Sequence, residues 1–165
     1  MRPFVELIVC LAIVFAAAAV GGAATSASVS PDDGGPSWYA EIAKPSWTPP
    51  AWLFGPVWTA LYILMAVSAW LVWRQRPVAP PGAVNIAITL FLAQLVLNAL
   101  WSVVVFGLRR PGWAFAEILA LEAALLATIG VFFRIRPAAA VLLVPYAAWV
   151  GFAACLNGAI WRLSR

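Results

Sequence analysis

The sequence predicts an all-α integral membrane protein, a single domain over residues 1–165 built as a bundle of five transmembrane helices. Hydrophobic residues make up 65% of its 165 residues and charged residues only 10%, whereas soluble domains are about one quarter charged. Five apolar stretches are each long enough to cross about 30 Å of hydrocarbon. We therefore expect a multi-pass membrane protein with one compact bundle.

The predicted helices follow from these apolar stretches and from the breakers between them. They cover residues 3–24, 51–73, 84–106, 112–134 and 138–161. The connectors "RQRPVAPPG", "GLRRPG" and "RIRP" each place arginine and then a helix breaker after an apolar run. The first connector, residues 25–50, is much longer than the others, so chain length is concentrated at one mouth of the bundle.

The first apolar stretch has two interpretations. Arg2 precedes an apolar core and "ATSA" offers a small-residue cleavage site, as in a secretory signal. The alternative is a retained transmembrane helix. We expect retention, because the run is nearly of full spanning length.

The long first connector contains "KPSWTPPAW", residues 44–52. Proline fixes its own backbone angle and has no N–H, so Pro45, Pro49 and Pro50 exclude a regular helix or a central strand here. The segment is predicted to be a stiff, irregular cover over one mouth of the bundle.

Composition excludes several classes of function. Histidine is absent, and Cys10 and Cys155 lie inside apolar runs, where a thiol usually packs rather than binds metal. No basic run is interleaved with aromatic residues, so nucleic acid is not expected as a partner. The sequence has no nucleotide-binding loop and no usual nucleophile–base pair, which disfavours a pump and a conventional hydrolase. No cofactor is expected to be required.

Orientation in the membrane does not follow from the charges. Five helices place the two termini on opposite sides, and an excess of Lys and Arg should mark the cytoplasmic side. The two sides carry equal sets, Arg2, Arg74, Arg76, Arg134 and Arg136 against Lys44, Arg109, Arg110, Arg162 and Arg165.

Three predicted helices carry aromatic and polar side chains at helical spacing, so that each presents one mixed face. The faces are Phe54, Trp58 and Tyr62 in the second helix, Gln94, Asn98 and Trp101 in the third, and Tyr146, Trp149, Ala153 and Asn157 in the fifth. Packed inward, they would line a cavity of aromatic rings with a few amide and hydroxyl groups. Such a lining is typical of a site for a flat apolar ligand.

A purely structural interpretation of the same residues stays open. Gln94 and Asn98 can tie helices together by hydrogen bonds worth on the order of 1 kcal/mol. Six tryptophans near the predicted helix ends fit an interfacial belt, namely Trp38, Trp47, Trp52, Trp73, Trp113 and Trp161. Trp58, Trp101 and Trp149 lie deeper, where ligand contact and core packing are both compatible with the spacing.

Three stretches carry a resemblance to a known family: "WYAEIAKPSWTPPAWLFGPVWTALY", "AQLVLNALWSVVVFGLRRPGWA" and "LLVPYAAWVGFAACLNGAIWR". They resemble signature sequences of the TspO family, the tryptophan-rich sensory proteins related to the mitochondrial translocator protein, formerly the peripheral-type benzodiazepine receptor. The similarity covers residues 37–162 and is weakest in the first helix. It implies a five-helix bundle that is often a homodimer, with a lid over a pocket for porphyrins (protoporphyrin IX, haem), sterols and benzodiazepine-type drugs.

The resemblance also assigns site residues. The family's pocket falls on Tyr39 and Pro49 of the lid and on Trp58, Asn98, Trp101, Trp149 and Ala153 of the helices. With the stripe residues Tyr62, Gln94 and Tyr146, these form the predicted ligand-binding set of ten. Trp58 and Trp149 match the two tryptophans of the family's proposed porphyrin-degrading photochemistry. The family's sterol motif needs a central tyrosine, and "LNGAIWR" has Gly158 and Ala159 there, although Arg162 is kept.

Three functions are compatible with this family. The protein could be a sensor or regulator that binds tetrapyrrole, a transporter of porphyrin or a similar apolar molecule, or a light-dependent enzyme that degrades porphyrin. We rank binding and sensing first, because the sequence lacks the half-chain repeat of many secondary transporters. The expected partners are an apolar small molecule, membrane lipid and a second copy of the chain.

Overall fold

The computed structural model describes residues 2–29 and 38–164, with side chains for residues 3–26 and 39–164. Its helices are α1 (Arg2–Val29), the short α2 (Trp38–Glu41), α3 (Phe54–Trp73), α4 (Ala83–Ser102), α5 (Pro111–Ile135) and α6 (Pro137–Leu163). The five long helices are apolar enough and long enough to cross a membrane. The prediction of an all-α, five-span membrane protein is confirmed.

The helix starts follow the breakers in the sequence. Pro111 and Pro137 occupy first-turn positions of α5 and α6, where the missing N–H of proline leaves no helical hydrogen bond unmade. Gly82 precedes α4 with φ of +81°, a left-handed conformation that glycine adopts without steric cost. These residues turn the chain sharply between antiparallel helices.

The five long helices form a closed ring. Around the bundle the order is α1, α3, α6, α5 and α4, and α4 in turn contacts α1. The interior between α3, α5 and α6 is filled by fully buried side chains, among them Met65, Leu125 and Phe132. By contrast α1 has only Val14 and Gly21 buried among its described side chains. The ring is therefore solid on the α5 side and loosely filled beside α1.

The proline-rich part of the first connector is irregular, as its sequence predicts. Residues 43–50 contain no helix; the amide of Thr48 donates to the carbonyl of Pro45 at 3.0 Å. A 3₁₀ turn, Ala51–Leu53, then leads into α3. Residues 30–37 of the predicted lid lie outside the described residues.

The last turn of the third span differs from the regular helix that the sequence predicts for residues 84–106. The α-helix ends at Ser102 and continues as a π-helix, Val103–Gly107, in which the amide of Leu108 donates to the carbonyl of Val103 at 2.8 Å. The wider turn brings the ring of Phe106 edge-on to Trp101, with centroids 6.1 Å apart. Such turns frequently occur at functional sites.

Candidate ligand cavity

A cavity of about 580 Å³ lies at the end of the bundle where α2 and the first connector are found. Residues of α1, α3, α4 and α6 form its walls, and Tyr39 of α2 lies among the lining residues. Its volume falls within the range of about 300–1,000 Å³ that is usual for small-molecule pockets.

The cavity wall on α3 and α6 consists of aromatic rings that support one another. Trp58 stacks on Tyr62 with ring centroids 5.4 Å apart and planes 28° from parallel. Trp149 meets Phe54 edge-on at 5.9 Å. Because each ring is held by a neighbour, the wall is organised before a ligand binds, which lowers the entropy lost on binding.

The structure brings six of the ten predicted site residues together on this cavity: Tyr39, Trp58, Tyr62, Trp101, Trp149 and Ala153. The other four lie elsewhere. Pro49 is in the connector, and Gln94, Asn98 and Tyr146 are enclosed in the bundle with at most 1% of each residue exposed.

Asn98 forms a hydrogen-bonded bridge behind the cavity wall. The hydroxyl of Tyr62 donates to Asn98 Oδ1 at 2.8 Å, and Asn98 Nδ2 donates to the hydroxyl of Tyr146 at 2.9 Å. The amide therefore ties α3, α4 and α6 together and fixes the hydroxyl of Tyr62. Gln94, one turn away, has both amide atoms buried and unpartnered among the described residues.

Two indole N–H groups of the cavity differ in their partners. Trp101 Nε1 donates to Asn157 Oδ1 at 3.3 Å, and Asn157 Nδ2 donates to the carbonyl of Pro111 at 2.7 Å. Trp149 Nε1 is buried and has no partner among the described residues. Since a buried donor without an acceptor costs free energy, the Trp149 N–H is left with an unmet hydrogen bond, whereas that of Trp101 is satisfied.

Contacts hold the described part of the lid at the cavity mouth. The ring of Tyr39 packs on Phe106 with centroids 5.8 Å apart. The ammonium of Lys44 donates to the carbonyls of Tyr39 and Ala40 and lies 4.6 Å from the Tyr39 ring centroid. Burial raises the pKa of the Tyr39 phenol, and desolvation lowers the pKa of the Lys44 ammonium. Trp47 meets Phe152 of α6 edge-on at 5.8 Å.

None of the site residues predicted from the sequence lies on α1, although this helix forms one wall of the cavity. Phe15, Ala18, Gly22 and Ser26 are among its contributions. The available signal was the run "AAAAVGGAATSA", residues 16–27. Small side chains let helices approach closely, and where no neighbour fills the space they leave room for a ligand. Ser102 of α4 was missed as well.

The fold and the cavity together define a class: a polytopic helical membrane protein with an aromatic small-molecule cavity enclosed by its helices. The family model described as the TspO/MBR family matches residues 9–162. The chain belongs to this family, as the resemblance predicts, and the match includes α1 from residue 9 onward.

Individual relatives agree with this assignment. The chain is 42% identical to a translocator protein of Homo sapiens over 125 residues, which cover 76% of this chain and 73% of that protein. It is 41% identical to a tryptophan-rich protein TspO of Archaeoglobus fulgidus over 131 residues, 78% and 80% of the two chains. It is 36% identical to a tryptophan-rich sensory protein of Cereibacter sphaeroides over 154 residues, 93% and 91% of the two chains.

The position where the sterol motif lacks its tyrosine is occupied from a neighbouring helix. A Cβ on Gly158 would lie 2.9 Å from Phe115 Cε2, and the ring of Phe115 stacks on Trp161 with centroids 5.7 Å apart. Phe115 of α5 thus lies over this position beside Trp161 of α6, and a side chain at residue 158 would require the Phe115 ring to move.

Proposed function

We propose that this TspO-family membrane protein binds a flat apolar tetrapyrrole, protoporphyrin IX or haem, in the cavity and acts as a sensor or regulator. The observation that carries the proposal is the convergence of three indoles, Trp58, Trp101 and Trp149, on one cavity of about 580 Å³. A porphyrin presents two broad π-faces, which aromatic rings stack against in offset or edge-on geometry.

The packing beyond the cavity favours binding over transport. The cavity is lined by residues from one end of α1, α3, α4 and α6, and buried side chains fill the bundle beyond it between α3, α5 and α6. Met65, Leu143 and Phe132 have no exposed surface there, so these side chains fill the described bundle between the cavity and its opposite end. Crossing would require the helices to separate, whereas binding requires no such change.

The test is a titration of the purified protein with protoporphyrin IX, followed by quenching of tryptophan fluorescence. Quenching is expected because three tryptophans border the cavity. It should saturate at a one-to-one ratio, because the proposed site is a single cavity. A linear, non-saturating decrease would contradict specific binding. Flux of porphyrin into sealed vesicles, measured on the same preparation, would favour transport instead.

A second candidate function is light-dependent degradation of the bound porphyrin with dioxygen as the oxidant. It is favoured by one observation, that Trp58 and Trp149 both line the cavity and so could both contact one ligand. Porphyrin absorbance would then decrease under illumination and stay constant in the dark. The double variant Trp58→Phe, Trp149→Phe would bind porphyrin without degrading it.

Metal-free protoporphyrin IX is expected to bind about as tightly as haem. Haem iron is usually held by His, Cys, Met or Tyr, and histidine is absent from the sequence. Cys10 and Cys155 are not among the cavity-lining residues. Burial raises the pKa of Tyr39, which disfavours a tyrosinate ligand, and the hydroxyl of Tyr62 already donates to Asn98. Parallel titrations compare the two affinities, and a six-coordinate haem spectrum lost in Tyr39→Phe or Cys155→Ala would show that the iron is ligated.

Replacing Pro49 and Pro50 together with glycine is expected to weaken ligand affinity and to speed ligand release. Proline restricts the open connector, so less conformational entropy is lost when the connector packs over a ligand. The alternative is that these prolines only start α3, since the amide of Leu53 bonds the carbonyl of Pro50 at 3.0 Å. Release rate and ligand-free melting temperature, measured on one preparation, decide: a lower melting temperature with an unchanged release rate contradicts the lid role.

A further inference from the structure

The exposed part of the cavity lining is concentrated on two helices. On α4 and α6 the lining residues Trp101, Ser102 and Ala153 are buried, with at most 9% exposed, and Trp149 is partly buried. On α1 and α3 the lining includes exposed residues, among them Gly22 and Gly55. The wall is therefore closed where α4 and α6 form it and incomplete along the seam between α1 and α3.

The register of α1 and α3 places two glycines opposite each other at this seam. The helices are antiparallel neighbours, and the rings of Phe15 and Tyr62 lie 6.3 Å apart. Moving seven residues along α1 gives Gly22, and moving seven residues back along α3 gives Gly55, each about 10 Å nearer the lid. A Cβ built on Gly22 or on Gly55 would meet no atom within 4 Å. Both glycines thus border open space at the same level.

The adjacent glycine of α1 shows that this gap belongs to one seam only. A Cβ on Gly21 would lie 3.1 Å from Ser102 Oγ of α4, a contact tighter than ordinary packing. Helix α1 therefore lies in close contact with α4 at Gly21, whereas the space beside Gly22 is open. Gly21 thus marks the closed seam between α1 and α4, and the next residue, Gly22, borders the open space.

The gap lies within the apolar spans of both helices. The spans are Pro3–Ser26 and Ala51–Trp73, so Gly22 and Gly55 are each four residues, or about 6 Å, inside the lid end of their span. The seam also presents mostly carbon. The hydroxyls of Thr25 and Thr59 bond back to the carbonyls of Gly21 and Gly55, both at 2.9 Å, and so their donors are already satisfied.

We propose that the cavity is filled laterally from the bilayer through the gap between α1 and α3, and that Gly22 and Gly55 set the width of this gap. The proposal rests on the proposed ligand cavity and specifies its ligand class: an apolar molecule already dissolved in the membrane, thin enough to pass edge-on between two glycines. Larger side chains at these two positions raise one barrier that arriving and departing ligand must both cross.

The experiment compares the wild type with Gly22→Leu, Gly55→Leu and the double variant in lipid nanodiscs. Leucine is a better helix former than glycine, and neither substitution meets an atom within 4 Å at its Cβ, so the helices remain formed. Gly130→Leu is the matched control, because Gly130 is an exposed glycine of α5 whose Cβ also meets nothing within 4 Å.

The first measurement needs no ligand. Lipids brominated on the acyl chain quench tryptophans that they contact, and the signal of Trp58 is the difference between each protein and its Trp58→Phe version. Trp58 of the wild type and of Gly130→Leu is expected to be quenched, and Trp58 of the double variant to be protected. Equal quenching of wild type and double variant, or no quenching in either, overturns the proposal.

The second measurement is the kinetics of protoporphyrin IX binding. Association and dissociation are both expected to slow by about tenfold in the double variant, because a shared barrier rises. Unchanged rates, or weaker affinity through faster release, overturn the proposal. If the wild type binds no porphyrin, the proposed function fails, while the lipid-quenching measurement still decides whether the seam is open.

Discussion

Replacing Trp149 with alanine is expected to weaken protoporphyrin IX binding by about fivefold, since aromatic stacking contributes roughly 1 kcal/mol beyond the area it buries. Trp149 lines the cavity and holds Phe54 edge-on, so alanine removes a stacking surface and loosens a second ring. Titration by porphyrin fluorescence measures the affinity, and circular dichroism checks that the bundle is still helical.

Two further variants separate the parts played by this side chain. Trp149→Phe keeps a ring but removes the buried N–H that lacks a partner, so its affinity should fall between those of the wild type and Trp149→Ala. Trp113→Ala is the matched control, because Trp113 is 73% exposed at the start of α5. Wild-type affinity in a folded Trp149→Ala protein would exclude Trp149 from the binding site.

Replacing Asn98 with leucine is expected to lower the free energy of unfolding by about 2 kcal/mol, as two hydroxyls lose their partner at roughly 1 kcal/mol each. Leucine fills nearly the same volume, so the loss comes from the orphaned groups rather than from a cavity. The hydroxyls are those of Tyr62 and Tyr146, which are 8% and 0% exposed. Reversible unfolding in mixed detergent micelles measures the change.

The control for this prediction is a mutant cycle. In a Tyr62→Phe, Tyr146→Phe background both hydroxyls are already gone, and Asn98→Leu should then cost well under 1 kcal/mol. Porphyrin affinity should fall only modestly in Asn98→Leu, because Asn98 positions Tyr62 and does not line the cavity. An equal stability loss in both backgrounds would show that Asn98 acts through packing alone.

Much of the fold follows from the sequence because the bilayer imposes simple requirements on it. A helix must be apolar over about 20 residues to span, and the arginine and proline pairs of the connectors leave few alternatives for where each span ends. The aromatic stripe of Phe54, Trp58 and Tyr62 follows equally directly from the helical period, and all three rings line the cavity.

The identity of the cavity-lining residues could not be predicted from the sequence of any single helix. Spacing placed Asn98 and Trp101 on one face of α4, but Trp101 lines the cavity and Asn98 lies behind it, because the rotation of α4 is set by α3 and α6 through the two tyrosine hydroxyls. The π-helix after Ser102 changes that rotation again before Phe106.

The sequence by itself determined the number of spans, the irregular proline connector and the aromatic faces, since each depends on local hydrophobicity, backbone restriction or the helical period. Only the tertiary structure decided that Gly21 of α1 lies in close contact with Ser102 of α4 while Gly22 borders open space. Glycine carries no side chain to indicate what it faces, so its role depends on where the neighbouring helices lie.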